Sequence, residues 1–147
     1  MPRFKFRLQS IFDLRVHIEN EQKDVYTVEN IRLSELFETK GSLTSKFDLW
    51  SLKYMNAAEI GINVADASQI YHYLDDLKEL IRRTEKQIEV QSQVVENERL
   101  ILIEKMKDRK TLENLKERQF KLFCEEMQKK EEKDIEEIIV STLSRQD

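Results

Sequence analysis

A heptad repeat of apolar residues marks the second half of the chain. Aliphatic side chains return every seven positions, at Leu74, Ile81, Ile88, Val95 and Leu102. The positions three residues further on are mostly polar: Leu77, Thr84, Gln91, Glu98 and Lys105. This spacing predicts a long helix that pairs with another helix through a seam in which apolar and polar layers alternate.

A second apolar pattern runs through the first half of the chain. It begins with one helical stripe, formed by Leu8, Ile11, Leu14, Ile18, Val25 and Val28. It then slips in phase and resumes as Leu33, Leu36, Leu43, Phe47, Trp50, Tyr54 and Ala57. Such a slip predicts a local change of supercoil phase within one helix. An interior glycine costs a helix about 1 kcal/mol, which is tolerable once, so we predict that the first helix continues through Gly41.

The break between the two patterns lies at Gly61-Ile62-Asn63. Gly61 suits the left-handed conformation that closes a helix, and Asn63 is a good N-cap for the next one. Because so short a turn makes two long helices antiparallel neighbours, we predict an all-α fold, a long antiparallel two-helix coiled-coil hairpin with an overhanging C-terminal helix. It is one coiled-coil domain over residues 1–147, with helix 1 at about 9–60, the turn at 61–63 and helix 2 at about 64–140.

The predicted second helix is much longer than the first. At 1.5 Å per residue it overhangs its partner by about 35–40 Å. The overhang carries apolar residues without a mate in the same chain: Phe120, Leu122, Phe123, Met127, Ile135, Ile138 and Ile139. These residues indicate a surface for a partner protein, and the alternative interpretation is a frayed amphipathic tail.

Composition supports long helices and narrows the functional classes. Charged residues make up 37% and hydrophobic residues 39% of the chain, with two glycines and one proline, too few for the turns of a sheet protein. A net charge of −4 gives no reason to expect nucleic acid as a partner. The single cysteine, Cys124, suits a reducing compartment. No aliphatic run is long enough for a membrane span, and we interpret the protein as cytoplasmic.

Residues with catalytic or ligand-binding chemistry form no recognisable arrangement. His17 and His72 are far apart, Cys124 has no companion at metal-ligand spacing, and two glycines cannot supply a phosphate-binding loop. The carboxylates alternate with Lys and Arg, as on a solvated helix face. We predict no enzymatic activity, no cofactor, no metal and no small-molecule substrate.

Two apolar patches are candidates for partner binding. Near the turn, aromatic and aliphatic residues cover more than one face of each helix, so that some are exposed or bind a partner: Phe47, Leu49, Trp50, Leu52, Tyr54, Met55, Tyr71, Tyr73, Leu77 and Leu80. The alternative is a wider local core. At the open end, Phe4, Phe6 and Leu8, beside Arg3, Lys5 and Arg7, approach a region of helix 2 that contains Leu112, Leu115, Phe120 and Phe123.

Three segments together resemble the FliJ family of flagellar type III export proteins. They are RFKFRLQSIFDLR at the start, GINVADASQIYHYLDDLKELI at the turn, and DRKTLENLKERQFKLF followed by EEKDIEEI. The most specific is the first, which carries Phe4, Phe6, Leu8, Gln9, Leu14 and Arg15. The resemblance implies an antiparallel coiled coil similar to the central stalk of rotary ATPases.

The resemblance also implies partners and their sites. They are the hexameric flagellar export ATPase, whose ring formation the family promotes, the cytoplasmic domain of the export-gate membrane protein, and export chaperones. The expected location is the cytoplasm, peripheral to the membrane at the flagellar base. The matching gate-binding positions are Leu43, Trp50, Tyr54, Tyr73, Leu77 and Leu80, and the ATPase-binding ones are Phe4, Phe6, Arg7, Leu8, Leu112, Leu115, Phe120 and Phe123. The alternatives are a secretion chaperone or coiled-coil scaffold, and the equivalent stalk of a virulence type III system.

Overall fold

The computed structural model describes residues 2–146. Within that range the fold is all-α: helix α1 spans Gln9–Ile60, helix α2 spans Val64–Gln146, and the two pack against each other in antiparallel orientation. Helix α1 runs through Gly41 without a break, as predicted. Helix α2 continues to Gln146 instead of ending near residue 140.

The turn has the conformation that its residues predict. Gly61 has a φ of +100°, and its N–H donates to the carbonyl of Ala57 at 3.0 Å, closing α1. The Asn63 side-chain oxygen accepts from the N–H of Ala65 at 3.1 Å and thereby caps α2. Together these contacts satisfy backbone groups that helix ends otherwise leave unpaired.

The chain divides into two compact units. The turn unit is Gln22–Leu102, and the termini unit combines the chain up to Glu21 with the chain from Ile103 onward. No helix among the described residues has an apolar stretch long enough to cross a membrane.

The seam of α2 in the turn unit follows the predicted heptads. Leu77 and Thr84 are buried, with 3% and 6% of their surface exposed. The other predicted seam positions within the unit are half-buried: Leu74, Ile81, Ile88, Gln91, Val95, Glu98 and Leu102. The polar layers are therefore part of the helix interface, as the spacing indicated.

The apolar stripe predicted for the start of α1 is wrong at four of its six positions, while Leu8 and Ile18 are half-buried. Ile11, Leu14, Val25 and Val28 are between 42% and 54% exposed. The seam lies one residue later and keeps an unbroken heptad spacing without a phase slip, at Phe12, Arg15, Glu19, Gln22, Tyr26, Glu29, Leu33, Leu36, Lys40, Leu43, Phe47, Trp50, Tyr54 and Ala57. The reason is that polar seam residues find hydrogen-bonding partners on α2, so they enter the interface in place of the aliphatic residues beside them.

The termini unit is held partly by charge. Glu19 is 2% exposed and forms an ion pair with Arg109, which also pairs with Glu113 on its own helix. The Arg15 guanidinium lies 3.8 Å from the Asp108 carboxylate. From Gln128 to Gln146 every side chain is exposed, so the predicted unpaired extension of α2 is present, whereas Phe120 and Phe123, which were predicted to lack a mate in the same chain, contact Phe4.

Candidate partner-binding surfaces

The turn unit carries an aromatic pair that joins its two helices. Trp50 occupies a seam position on α1, and Tyr73 precedes the seam residue Leu74 on α2. Their ring centroids lie 5.4 Å apart at an interplanar angle of 73°, an edge-to-face contact. The Lys53 ammonium lies 4.4 Å from the Trp50 ring centroid. The pair therefore presents an aromatic edge with a cation beside it.

A small cavity opens beside this aromatic pair. It has a volume of about 240 Å³ and is lined by Trp50, Gln69, Ile70 and Tyr73. Such a cavity is suited to a single side chain from a protein partner rather than to a drug-sized ligand, for which pockets begin at about 300 Å³.

The six positions predicted to bind the export gate are not equally accessible. Leu77 is part of the core, and Leu43 and Tyr54 are half-buried in the α1 seam. Tyr73 and Leu80 are 39% and 45% exposed. The accessible part of this turn surface thus consists of Tyr73, Leu80 and the edge of Trp50, whereas Leu77 supports it from below.

The prediction of exposed apolar residues around the turn is confirmed. Leu49, Leu52, Met55 and Tyr71 are each more than half exposed. They widen the turn surface beyond the six positions implied by the family resemblance. The alternative of a wider local core is therefore wrong for these residues.

In the termini unit, the segment before α1 packs on α2 through aromatic rings. The Phe4 ring centroid lies 5.3 Å from that of Phe120 and 5.6 Å from that of Phe123. Phe6 is 7% exposed, and its carbonyl accepts from the N–H of Gln9 at 3.1 Å, at the start of α1. Phe6 is therefore a core residue and not a surface anchor.

The remaining positions predicted to bind the ATPase lie in the same unit as this aromatic cluster. Leu8, Leu112 and Leu115 are half-buried, while Arg7 is exposed. Phe120 retains 51% of its surface although it touches Phe4. The termini surface is thus a partly covered aromatic cluster beside exposed basic residues, with Arg3 and Lys5 also exposed.

The pKa of one carboxylate near the turn surface is strongly lowered. Arg82 donates two hydrogen bonds to the Glu79 carboxylate at 2.6 and 2.9 Å, and Arg83 donates one at 3.2 Å. The hydrogen bonds from Arg82, helped by the one from Arg83, outweigh desolvation and lower the pKa of Glu79 from its ordinary value of 4.5 to about 2. Glu79 is therefore negatively charged throughout the physiological pH range, next to the exposed Leu80.

Two further exposed apolar regions lie outside the positions that the family resemblance assigns to the ATPase and the gate, and the second of them was predicted from the sequence as a surface for a partner protein. One is the outward stripe of α1, which sequence reasoning assigned to the seam. The other is the extension of α2, where Ile135, Ile138, Ile139, Val140 and Leu143 are all more than half exposed. The sequence does contain a signal that identifies the α1 stripe as exposed. That signal is the match between Gln and Glu residues of the two helices, which apolar periodicity alone does not include.

Ligand chemistry adds little to these surfaces. In the part of the chain that the structure describes, no three His, Cys, Asp or Glu side chains are grouped to hold a metal ion.

Searches of curated proteins and of solved structures return no match to this chain. A scan against family models matches residues 4–147 to the model described as Flagellar FliJ protein.

Proposed function

Because the chain belongs to the FliJ family of flagellar proteins, a family of export-related components, we propose that it is the stalk-like component of a flagellar type III export ATPase. It binds the hexameric ATPase, promotes assembly of the ring and couples it to the export gate. With these partners it works in the cytoplasm, at the inner face of the membrane.

The observation that carries this proposal is the termini surface. Phe120 is half exposed beside Phe4, and basic residues at positions 3, 5 and 7 lie in the same unit. A stalk has to bind the ring without becoming locked in it. Mixed aromatic and basic contacts of modest area suit such binding, because affinity depends on a few anchors and on complementarity rather than on buried area.

The turn surface supports contact with the cytoplasmic domain of the export gate. Trp50 and Tyr73 form an edge-to-face pair with a small cavity beside it, and Leu80 is exposed. Tyrosine and tryptophan are favoured anchors in protein interfaces. Having this surface and the termini surface in different units allows one chain to engage two partners.

Hydrolysis by the cognate ATPase tests the first contact. We expect the full chain to stimulate hydrolysis and to increase the fraction of ATPase in rings, measured by light scattering after size-exclusion chromatography. The Phe120→Ala variant should lose most of the stimulation, whereas Leu122→Ala, which removes an exposed side chain of the same helix, should retain it. Absence of both stimulation and a complex with the unsubstituted chain would refute the proposal.

Capture by the purified cytoplasmic domain of the gate protein tests the second contact. We expect Tyr73→Ala to weaken capture several-fold. Val90→Ala is the control, because Val90 is 67% exposed on the same helix and does not belong to the turn surface. Equal losses for the two variants would contradict the assignment of this surface.

A chaperone or scaffold function is the second candidate, which the exposed apolar extension of α2 favours. A pull-down that compares the ATPase with filament and hook-cap chaperones separates the candidates. Binding of chaperones without the ATPase supports the second candidate, and binding of both supports the escort of chaperones by a stalk component.

A further inference from the structure

The seam of the turn unit contains two glutamine–glutamate pairs that join α1 to α2. The Gln22 amide donates to the Glu98 carboxylate at 2.6 Å and to the Glu98 backbone carbonyl at 3.1 Å. The Gln91 amide donates to the Glu29 carboxylate at 2.6 Å and to the Glu29 carbonyl at 3.0 Å. Each glutamine therefore uses both amide hydrogens on one glutamate of the opposite helix.

The two pairs are related by a local two-fold arrangement. In each helix a glutamine is followed seven residues later by a glutamate, as Gln22 and Glu29 in α1 and as Gln91 and Glu98 in α2. The pattern Gln-x2-Val-x3-Glu-x3-Leu occurs over residues 22–33 and again over 91–102. When two copies of this pattern pair in antiparallel orientation, the glutamine of each faces the glutamate of the other.

We propose that Gln22, Glu29, Gln91 and Glu98 form a register lock that selects one alignment of the two helices. A polar residue in a coiled-coil seam favours the alignment in which its hydrogen bonds are made. All four residues are half-buried, so an alignment that separates them leaves polar groups partly shielded from water without partners.

The aliphatic residues of the α2 seam do not distinguish one alignment from another. Ile81, Ile88, Val95 and Leu102 follow one another at seven-residue intervals and are all aliphatic. On the α2 side, a slip by one heptad therefore brings a similar aliphatic residue into each layer. The turn also opposes a slip, since the slip displaces the turn from Gly61, but it acts only at one end of the paired region.

The lock opposes a slip in either direction. A shift of α2 by one heptad one way places Glu29 opposite Glu98, which brings like charges together. A shift the other way places Gln22 opposite Gln91 and separates both glutamates from their amide donors. The native alignment alone pairs each glutamate of the lock with an amide donor.

The alignment has a consequence for the turn surface, which lies in the same unit. A slip by one heptad moves α2 about 10 Å along α1, at 1.5 Å per residue. Trp50 and Tyr73, whose ring centroids are now 5.4 Å apart, would then lose contact. The lock thus maintains the aromatic pair at the other end of the unit.

Cross-linking between introduced cysteines tests the lock in the full chain carrying Cys124→Ser. The native pair is Lys40→Cys with Glu85→Cys, because the Lys40 ammonium and the Glu85 carboxylate lie 3.4 Å apart in the parent chain. The two slipped pairs combine Lys40→Cys with Lys78→Cys or with Ser92→Cys, which are seven residues away on either side. A short bis-maleimide reagent reports which pair is close, and gel mobility separates cross-links within one chain from those between chains.

We expect only the native pair to react efficiently in the parent chain. Removing the amides with Gln22→Leu/Gln91→Leu should raise cross-linking of a slipped pair several-fold while helical circular dichroism is retained. Gln22→Met/Gln91→Met, which keeps the length of glutamine, should do the same. The control Gln93→Leu/Gln128→Leu changes exposed glutamines and should leave the slipped pairs unreactive. If both lock variants remain helical and keep the parental cross-linking pattern, the register lock is refuted.

Discussion

Replacing Arg109 with methionine measures what the charged layer of the termini unit contributes to stability. Arg109 pairs with Glu19, which is 2% exposed, and the Arg109 side chain itself is 24% exposed. Breaking a fully buried ion pair by removing one partner costs about 3–5 kcal/mol. Because the partial exposure of Arg109 lets water screen the charge, we expect a smaller loss, of about 2–3 kcal/mol in the free energy of unfolding.

Urea unfolding followed by circular dichroism at 222 nm measures this loss as a lower midpoint. The matched control is Arg99→Met, because Arg99 is an exposed arginine that pairs with Glu96 on its own helix; it should lower the midpoint far less than Arg109→Met, since water screens an exposed pair. Glu19→Leu/Arg109→Leu should recover most of the stability, since an apolar pair removes the buried charge of Glu19 together with that of Arg109. The reasoning is refuted if Arg109→Met and Arg99→Met have the same midpoint, or if the double variant is less stable than Arg109→Met.

Three further perturbations test the core, the turn and the perturbed carboxylate. Leu77→Ala should lower the free energy of unfolding by about 2–4 kcal/mol because Leu77 is 3% exposed, whereas Leu80→Ala should change it by less than about 1 kcal/mol in the same urea titration. Gly61→Ala should lower the free energy of unfolding by about 1–2 kcal/mol. The φ of +100° is the only cause, since the added methyl group meets no atom within 4 Å. Thermal unfolding measures the loss, and an unchanged midpoint contradicts the expected strain. The pKa of Glu79, lowered from 4.5 to about 2, implies a stabilising contribution that is fully present above pH 4.5 and disappears as the pH falls towards 2. Carboxyl carbon NMR should show this pKa rising in Arg82→Gln, and no rise would contradict the role of the Arg82 hydrogen bonds.

The sequence was most informative where the seam is aliphatic or where backbone conformation is restricted. The repeat from Leu74 to Leu102 predicted the α2 seam, including its polar layers, and Gly61 with Asn63 predicted the turn. The approach of Phe4 to Phe120 and Phe123 was also predicted, because the turn position determines which residues of antiparallel helices lie opposite each other.

The first half of α1 was misinterpreted because its seam is polar. Gln22 and Glu29 resemble surface residues in isolation, and only their partners on α2 make their partial burial favourable. Apolar periodicity therefore selected Val25 and Val28, which are exposed. They lie one residue before the seam positions Tyr26 and Glu29. A pattern within one helix contains no information about the donors and acceptors of the other.

The candidate surfaces were predicted only in part. Spacing indicated that aromatic residues gather near the turn and near the termini. It did not distinguish supporting residues from accessible ones, and both Leu77 and Phe6 proved to be buried. The assignment of partners depends on family membership, because side-chain chemistry alone does not identify a protein partner.

The exposed end of α2, Gln128–Gln146, has an energetic consequence for recognition. An isolated helix of this length is marginally stable in water, and no side chain in this segment is shielded by the rest of the protein. Its backbone amides should therefore exchange with solvent far faster than those of the paired helices. A partner that binds this segment has to stabilise its helical state, so part of the binding free energy is spent on ordering the segment. Affinity then depends on the intrinsic helix propensity of residues such as Ser141, which need not touch the partner at all.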